Sequence, residues 1–302
     1  MNDNFLYESF NYLAKKGMLN WLNDKLYIDY MFKYRIGSKM DWENPVTFNE
    51  KLQWLKLYDR RPEYHIMVDK YEVKKYVSSR IGDQYIIPTI GLWEKVEDID
   101  FNSLPNSFVL KCTHDSGSIV LCPEKKNFDK EKAISKLRKG LNRDMFYWGR
   151  EWPYKGLRRR IIAEQFLRDE SGTDLKDYKV LCFNGEPKLI ELHQNRYTSN
   201  QSQDFYDTNW EKLPISQNGV SLYQVTNKRI PKPDTLDEMI VLSRILSKGI
   251  PHIRVDWYSI DKKLYFGELT FFDGSGFDPY DDPKDDEMLG SWISLPKKTM
   301  RK

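Results

Sequence analysis

The chain has 302 residues, 40% hydrophobic and 31% charged, which is ordinary for a folded protein and excludes a disordered one. Forty-eight basic residues against forty-five acidic leave a net charge of +3, which argues against a nucleic-acid footprint. No window approaches the ~20 apolar residues of a membrane span, so no transmembrane segment is expected.

Cys112, Cys122 and Cys182 are odd in number and lack metal-ligand spacing, which fits a reducing, cytoplasmic compartment. The opening MNDNFLYESF has no basic stretch leading into an apolar one, so no signal peptide is expected.

Residues 1–65 read as helical, with Leu6, Phe10, Leu13 and Ala14 at helical spacing. Thr47 with Glu50 three residues on forms a capping box that starts the helix KLQWLKLYD. A further helix spans 69–81 and ends at Gly82-Asp83. Short extended pieces follow at 85–88 and 91–93. Ser107–Cys112 and Ile119–Cys122 form a hairpin around THDSGS, and Phe128–Leu141 is an amphipathic helix. Arg143–Arg159 reads as a mobile or irregular connector.

Arg160–Leu167 is an apolar strand. Tyr178–Phe183 and Pro187–Leu192 are strands joined at Asn184-Gly185, a strong hairpin signal. The stretch from Asp204 to Pro233 reads as loop with one strand. Thr235–Lys248 is a helix capped near Thr235, and Asp278–Asp286 is an acidic loop. Helices come first, then hairpins with interspersed helices, an α+β pattern that is antiparallel in its second half.

The second half ends in IRVDWYSIDKKLYFGELTFFDGSG, residues 253–276, two strands around a polar turn. Alternation puts Arg254 and Asp256 on one face, and Glu268 with Thr270 on one face of the partner strand. Two carboxylates beside a guanidinium suit a Mg²⁺–triphosphate site. Lys111 lies alone in an apolar strand, where a lysine is costly to bury without an anion, and the THDSGS loop after it offers backbone amides to phosphates. Glu164 near a strand end suits an amino group or ribose hydroxyl, and Lys179 repeats the pattern of Lys111. Together these residues describe a nucleoside triphosphate site with Mg²⁺.

The order of these elements, with DKYEVKKYV, FVLKCTHDSGS, RIIAEQFL, DYKVLCFNGEPK, RVDWY and YFGELTFFDGSGF, resembles the ATP-grasp superfamily and, more narrowly, its TupA-like branch of bacterial surface-polysaccharide enzymes. The resemblance runs from about Asn49 onward. It implies an ATP-grasp fold: two α+β lobes gripping ATP between antiparallel sheets, plus a helical N-terminal region. The expected division is 1–68 helical region, 69–106 lobe segment, 107–162 small lobe, 163–297 large lobe with the metal site, and 298–302 basic tail.

By the same resemblance Lys111, Lys179 and Lys70 contact nucleotide, and Ser116, Gly117 and Ser118 cover the phosphates. Glu164, Gln165, Phe166 and Leu167 hold adenine and ribose, and Arg254 stabilises the transferred phosphoryl group with Lys179 as its catalytic companion. Asp256, Glu268 and Thr270 bind metal, Mg²⁺ or Mn²⁺. Thr270 stands where the superfamily commonly has Asn, a stronger ligand. His114, His193, Arg196, Gly274, Ser275 and Gly276 are substrate-facing candidates.

The implied activity is an ATP-dependent carboxylate–amine ligase that works through an acylphosphate and joins an amino acid or other amine to a uronic acid or sugar carboxylate. Its expected setting is cell-surface polysaccharide synthesis, in weak association with other enzymes of that process. A sugar kinase, a glycosyltransferase and a non-catalytic carbohydrate-binding protein remain open alternatives.

Overall fold

The structure is a computed structural model that describes residues 3–168, 175–195, 200–217, 225–226 and 229–298. In chain order the α-helices are α1 (Asp3–Lys15), α2 (Asp24–Ile36), α3 (Phe48–Tyr58), α4 (Tyr64–Val68), α5 (Glu72–Ile81), α6 (Lys130–Leu141), α7 (Met145–Gly149), α8 (Leu236–Ser247) and α9 (Pro283–Ser291). The strands are β1 (Thr89–Trp93), β2 (Phe108–Cys112), β3 (Val120–Cys122), β4 (Ile161–Gln165), β5 (Asp177–Phe183), β6 (Glu186–Gln194), β7 (Ser202–Tyr206), β8 (Lys212–Leu213), β9 (His252–Ile260) and β10 (Lys263–Thr270).

Two antiparallel sheets organise the chain. The smaller runs β1-β4-β2-β3 and the larger runs β10-β9-β5-β6-β7-β8. Local chemistry sets the boundaries. Thr47 accepts from the Glu50 amide while Glu50 reaches back, so the predicted capping box starts α3. Asn184 and Gly185 both have positive φ, which makes the tight β5–β6 turn.

The large core gathers α3, α5, α8 and α9 about the larger sheet through Leu52, Val77, Val180, Leu242, Trp257 and Leu289, with α8 on the face of Cys182 and Trp257 and Phe48 of α3 against Phe183 and His252 on the other. The smaller sheet packs Phe108, Leu110, Ile161 and Ala163 against Ala133 and Leu137 of α6. A third cluster joins α1 and α2 through Tyr7, Tyr27, Ile28 and Phe32 to Trp42 and Phe277.

Several boundaries differ from expectation. The division at 162/163 cuts through β4, whose backbone pairs with β1 and β2, so the small sheet ends after Gln165. Residues 1–68 are not one unit, because α3 and α4 join the large core while α1 and α2 form their own. Residues 69–106 divide likewise, with Val73 and Val77 in the large core and Val96 to Leu104 in the small one.

Arg143–Arg159 is not an irregular connector. It holds α7 and a 3₁₀ turn, and it buries Arg150 and Glu151. The acidic stretch 278–286 leads into α9, with Asp282 accepting from the Lys284 amide. Thr235 precedes α8 without capping it, because its hydroxyl faces Ser259 Oγ at 2.8 Å. Among the described residues no helix is long and apolar enough to cross a membrane.

Candidate nucleotide and metal site

The face of the larger sheet that carries Lys179 and Asp256 holds buried charge in rows. Lys179 pairs across the strands with Asp256 on one side and Glu191 on the other, and Asp177 pairs with His193. The backbone spacing alone brings these residues together, because directly opposed residues share a face. Lys179 Nζ lies 2.7 Å from Asp256 and 2.9 Å from Asp177. Arg254 grips Asp256 with both ends of its fork, Nε at 2.7 Å and Nη2 at 2.8 Å, and also contacts Asp273 and, at 3.4 Å, Glu268.

These contacts fix the charge states. Burial favours neutral Asp256, but Arg254 and Lys179 outweigh it and hold the carboxyl well below the usual range. Burial and Arg254 work to discharge Lys179, yet Asp177, Asp256 and Glu191 together raise its pKa. Burial raises Asp273 despite Arg254.

A bulge completes the face. β10 pairs Phe266 with Trp257 and Leu269 with Val255, so one extra residue lies between them. Phe266 therefore faces the core, while Thr270 is opposite Arg254 and Glu268 reaches the charged face. Gly267 suits the bulge: a Cβ there would lie 3.1 Å from the Asp256 carbonyl oxygen.

The smaller sheet answers with cations. Val109 is opposite Glu164 and Lys111 is opposite Ile162, so Lys111 and Glu164 share the face away from α6. Glu164 accepts from Lys111 at 2.5 Å and from Lys74 of α5 at 2.6 Å. Burial would raise its pKa, but the two lysines lower it. Lys70 Nζ donates to the Asp115 carbonyl at 2.5 Å. Asp69 ties this corner together, accepting from Thr113 Oγ1 at 2.9 Å and Arg160 at 3.2 Å.

A cavity of about 370 Å³ lies between the sheets, lined by Lys70, Lys111, Ser116 and Gly117 on one side and by Lys179, Asp256 and Glu268 on the other. A second cavity of about 410 Å³ shares Lys70, Ser116, Arg254, Glu268, Asp273, Gly274 and Asp278 with the first and extends to Tyr7, Asn11 and Arg35 of the N-terminal helices. Asp278 pairs with Arg35 at 2.8 Å, and burial raises its carboxyl to about 6 although Arg35 opposes this.

The predicted residues divide accordingly. Lys70, Lys111, Ser116, Gly117, Lys179, His193, Arg254, Asp256, Glu268, Thr270 and Gly274 line one or both cavities. Ser118 does not cover phosphates; it is buried, accepting from the Cys112 amide at 2.9 Å and donating to Asp115 at 2.5 Å, so it fixes the loop from inside. His114 is buried and lines neither cavity. Gly276 packs against Leu52 and Gln53 of α3, and Ser275 lines the second cavity with its hydroxyl turned to Glu151. Gln165, Phe166 and Leu167 line neither cavity, and Arg196 lies outside the described residues.

Sequence reasoning missed Lys74, Glu191 and the Arg35–Asp278 pair. Lys74 stands four residues after Lys70, and Glu191 is a charge inside an apolar strand, the same signal that singled out Lys179.

The donor chemistry suits a hard cation that arrives with phosphate. Asp256 already holds Arg254 and Lys179, whereas Glu268 is about half exposed beside the Thr270 hydroxyl, 3.5 Å away. Among the described residues no group of three or more His, Cys, Asp or Glu is placed to hold a metal ion. Mg²⁺ needs no such cage, since it is commonly bound by one or two carboxylates plus substrate phosphates. Glu191 Oε2 is buried on this face with no hydrogen-bond partner among the described residues.

The chain is similar to D-alanine–D-alanine ligase from Bacillus anthracis, solved with ATP, at 17% identity over 68% of this chain and 54% of that one, with a TM-score of 0.39. It is similar to the D-alanine–D-alanine ligase of Helicobacter pylori at 14% identity, 83% and 70% coverage and a TM-score of 0.44. The chain thus spans about half the length of the first of these structures, 54%. No curated protein matches it by sequence. The family model for TupA-like ATP-grasp proteins matches residues 50–294, most of the chain, and so the protein belongs to the TupA-like ATP-grasp family and has the α+β fold of that superfamily.

Proposed function

We propose that the protein is an ATP-dependent carboxylate–amine ligase working through an acylphosphate. The observation that carries this reading is the meeting of two oppositely furnished sheets on one cavity, cations from Lys70 and Lys111 facing carboxylates organised by Arg254 and Lys179. Triphosphate lies against Lys111, Lys70 and the amides at Ser116-Gly117. Glu268, with Thr270 beside it, holds Mg²⁺, whose chemistry is to offset phosphate charge.

Asp256 and Asp273 fix the guanidinium of Arg254, and its second Nη1 hydrogen has no partner among the described residues. That hydrogen is available to a γ-phosphate oxygen as a substrate carboxylate oxygen attacks the γ-phosphorus, the new O–P bond forming as the bond to the bridging oxygen breaks and ADP leaves with its electron pair. An amine then attacks the acyl carbon, the C–N bond forms, and phosphate leaves with the electron pair of the broken C–O bond. The second cavity, which shares Glu268 and Gly274 with the first, receives the carboxylate and amine substrates. In this reading the carboxylate belongs to a uronic acid or other sugar acid of a cell-surface polysaccharide, and the enzyme acts in the cytoplasm.

The test is ADP and phosphate release against a panel of uronic acids and amines, with mass detection of product. An amide formed with stoichiometric phosphate supports the ligase. A stable sugar phosphoester makes the protein a kinase, and transfer from a nucleotide sugar without ATP turnover makes it a glycosyltransferase.

A further inference from the structure

The turn between α1 and α2 carries a surface that the ATP chemistry does not use, and it lies outside the family match at residues 50–294. Tyr12, Met18, Trp21 and Leu26 are four of the fourteen exposed large hydrophobic side chains among the described residues, and all four fall between positions 12 and 26. The helices have already committed their inner faces, with Tyr7, Ala14, Tyr27, Ile28 and Phe32 buried in the cluster that joins them to Trp42. At 3.6 residues per turn, Tyr12 and Leu26 fall on the outer faces of α1 and α2. Trp21 is the most exposed of the fourteen, at 80%. Its Nε1 donates to the Met18 carbonyl at 2.9 Å, so the ring meets water with its polar atom already satisfied within the turn.

The charge around this tip has one sign. Lys16 and Lys25 flank the turn and are exposed. The one acid between positions 12 and 26, Asp24, is occupied by Arg60 at 2.8 Å and Arg150 at 3.4 Å. Two copies of the chain paired through this patch would set these lysines against their like, whereas an anionic surface complements them. We infer that the α1–α2 turn docks the protein on an anionic phospholipid bilayer. Met18, Trp21 and Leu26 enter the headgroup boundary, and Lys16 and Lys25 lie against lipid phosphates. This is attachment to one leaflet, not a span, and it stands apart from the ligase reading. Lys16, Gly17 and Asn20 of the turn also line a cavity of about 680 Å³ that reaches Ser116 and Gly117 of the phosphate loop. Docking therefore holds this side of the cleft towards the bilayer.

The experiment is co-sedimentation of the full chain with phosphatidylcholine vesicles, with and without phosphatidylglycerol. Binding is expected only to the anionic vesicles and should fall steeply as salt rises from about 0.1 M to about 1 M. Trp21→Ser should weaken it by about tenfold or more, and Lys16→Gln and Lys25→Gln by about fivefold each. All three positions are exposed, so the melting temperature should stay unchanged. Val241→Ser combined with Ile245→Ser removes an exposed apolar pair on α8, at 52% and 42% exposure, and should leave vesicle binding intact.

Failure to bind anionic vesicles overturns the inference. So does equal binding to pure phosphatidylcholine, binding that survives Trp21→Ser, or equal loss on changing the α8 pair. Concentration-dependent dimerisation that Trp21→Ser abolishes, without vesicle binding, makes the patch an interface between copies and overturns it as well.

Discussion

The two sheets solve the same problem, charge on an apolar strand, in different ways. On the smaller sheet one carboxylate, Glu164, serves Lys111, which lines the cleft, and Lys74 of α5, which also donates to the Ile87 carbonyl; the two lysine side chains are 15% and 13% exposed. On the larger sheet Asp256, Lys179 and Arg254 are all nearly buried and lock one another. The smaller sheet thus offers adaptable cations to a polyanion, and the larger one a rigid frame for a guanidinium. Lattices of paired buried charge gain little net stability but are costly to break, so this frame is best understood as positioning.

Mutation can break that contrast. Asp256→Ala leaves Lys179 and Arg254 buried beside a missing anion and should cost about 3–5 kcal/mol in urea unfolding. Glu164→Ala should cost less, about 1–3 kcal/mol, because its lysines can reach water. The reverse order would end the distinction between a rigid and an adaptable sheet.

Glu268→Gln separates function from folding. Its side chain is 43% exposed, so stability should change by no more than about 0.5 kcal/mol, while Mg²⁺-dependent ATP turnover falls by about 10²–10³-fold. Lys111→Met should mainly weaken nucleotide affinity, by about tenfold to a hundredfold from the loss of a charged contact, read as KM for ATP.

Acid should weaken the larger sheet. The folded Asp256 carboxyl lies below its unfolded value, so its contribution is complete above about pH 4 and declines as pH falls towards the folded value. Urea midpoints measured down the acid limb should steepen there, and Asp256→Asn should flatten that part of the slope. The smallest effect belongs to the exposed pair Arg138–Glu97, at 2.8 Å, where Arg138→Ala should leave the melting temperature unchanged.

Much of this arrangement was legible in the sequence because charges inside apolar strands are rare and expensive. Lys111, Lys179, Arg254 and Asp256 are each such a charge, and each lines the cleft. Partners were harder to read. A two-residue turn at Asn184-Gly185 carried through regularly sets Lys179 opposite Ile190; the irregularity at Leu181/Cys182 shifts the register and sets Glu191 there instead. Ser118 misled because a small residue in a polar loop looks available, whereas its hydroxyl closes the loop on Asp115. Arg35 and Asp278 lie 243 positions apart, and only the packing of α2 against the 277 segment brings them together.

The bulge at Gly267 gives β10 two phases. Up to Phe266 the strand keeps step with the core, and from Glu268 it keeps step with the cleft. Even-numbered residues therefore face opposite sides in its two halves. This makes the strand unequally tolerant of length changes. Removing Gly267 would leave a regular ladder in which Phe266 still meets the core and Glu268 still meets the cleft. Adding a residue before Glu268 would turn Glu268 and Thr270 towards Trp257 and present Leu269 to the cleft, erasing the charged face of β10 by a shift of one position with every side chain intact.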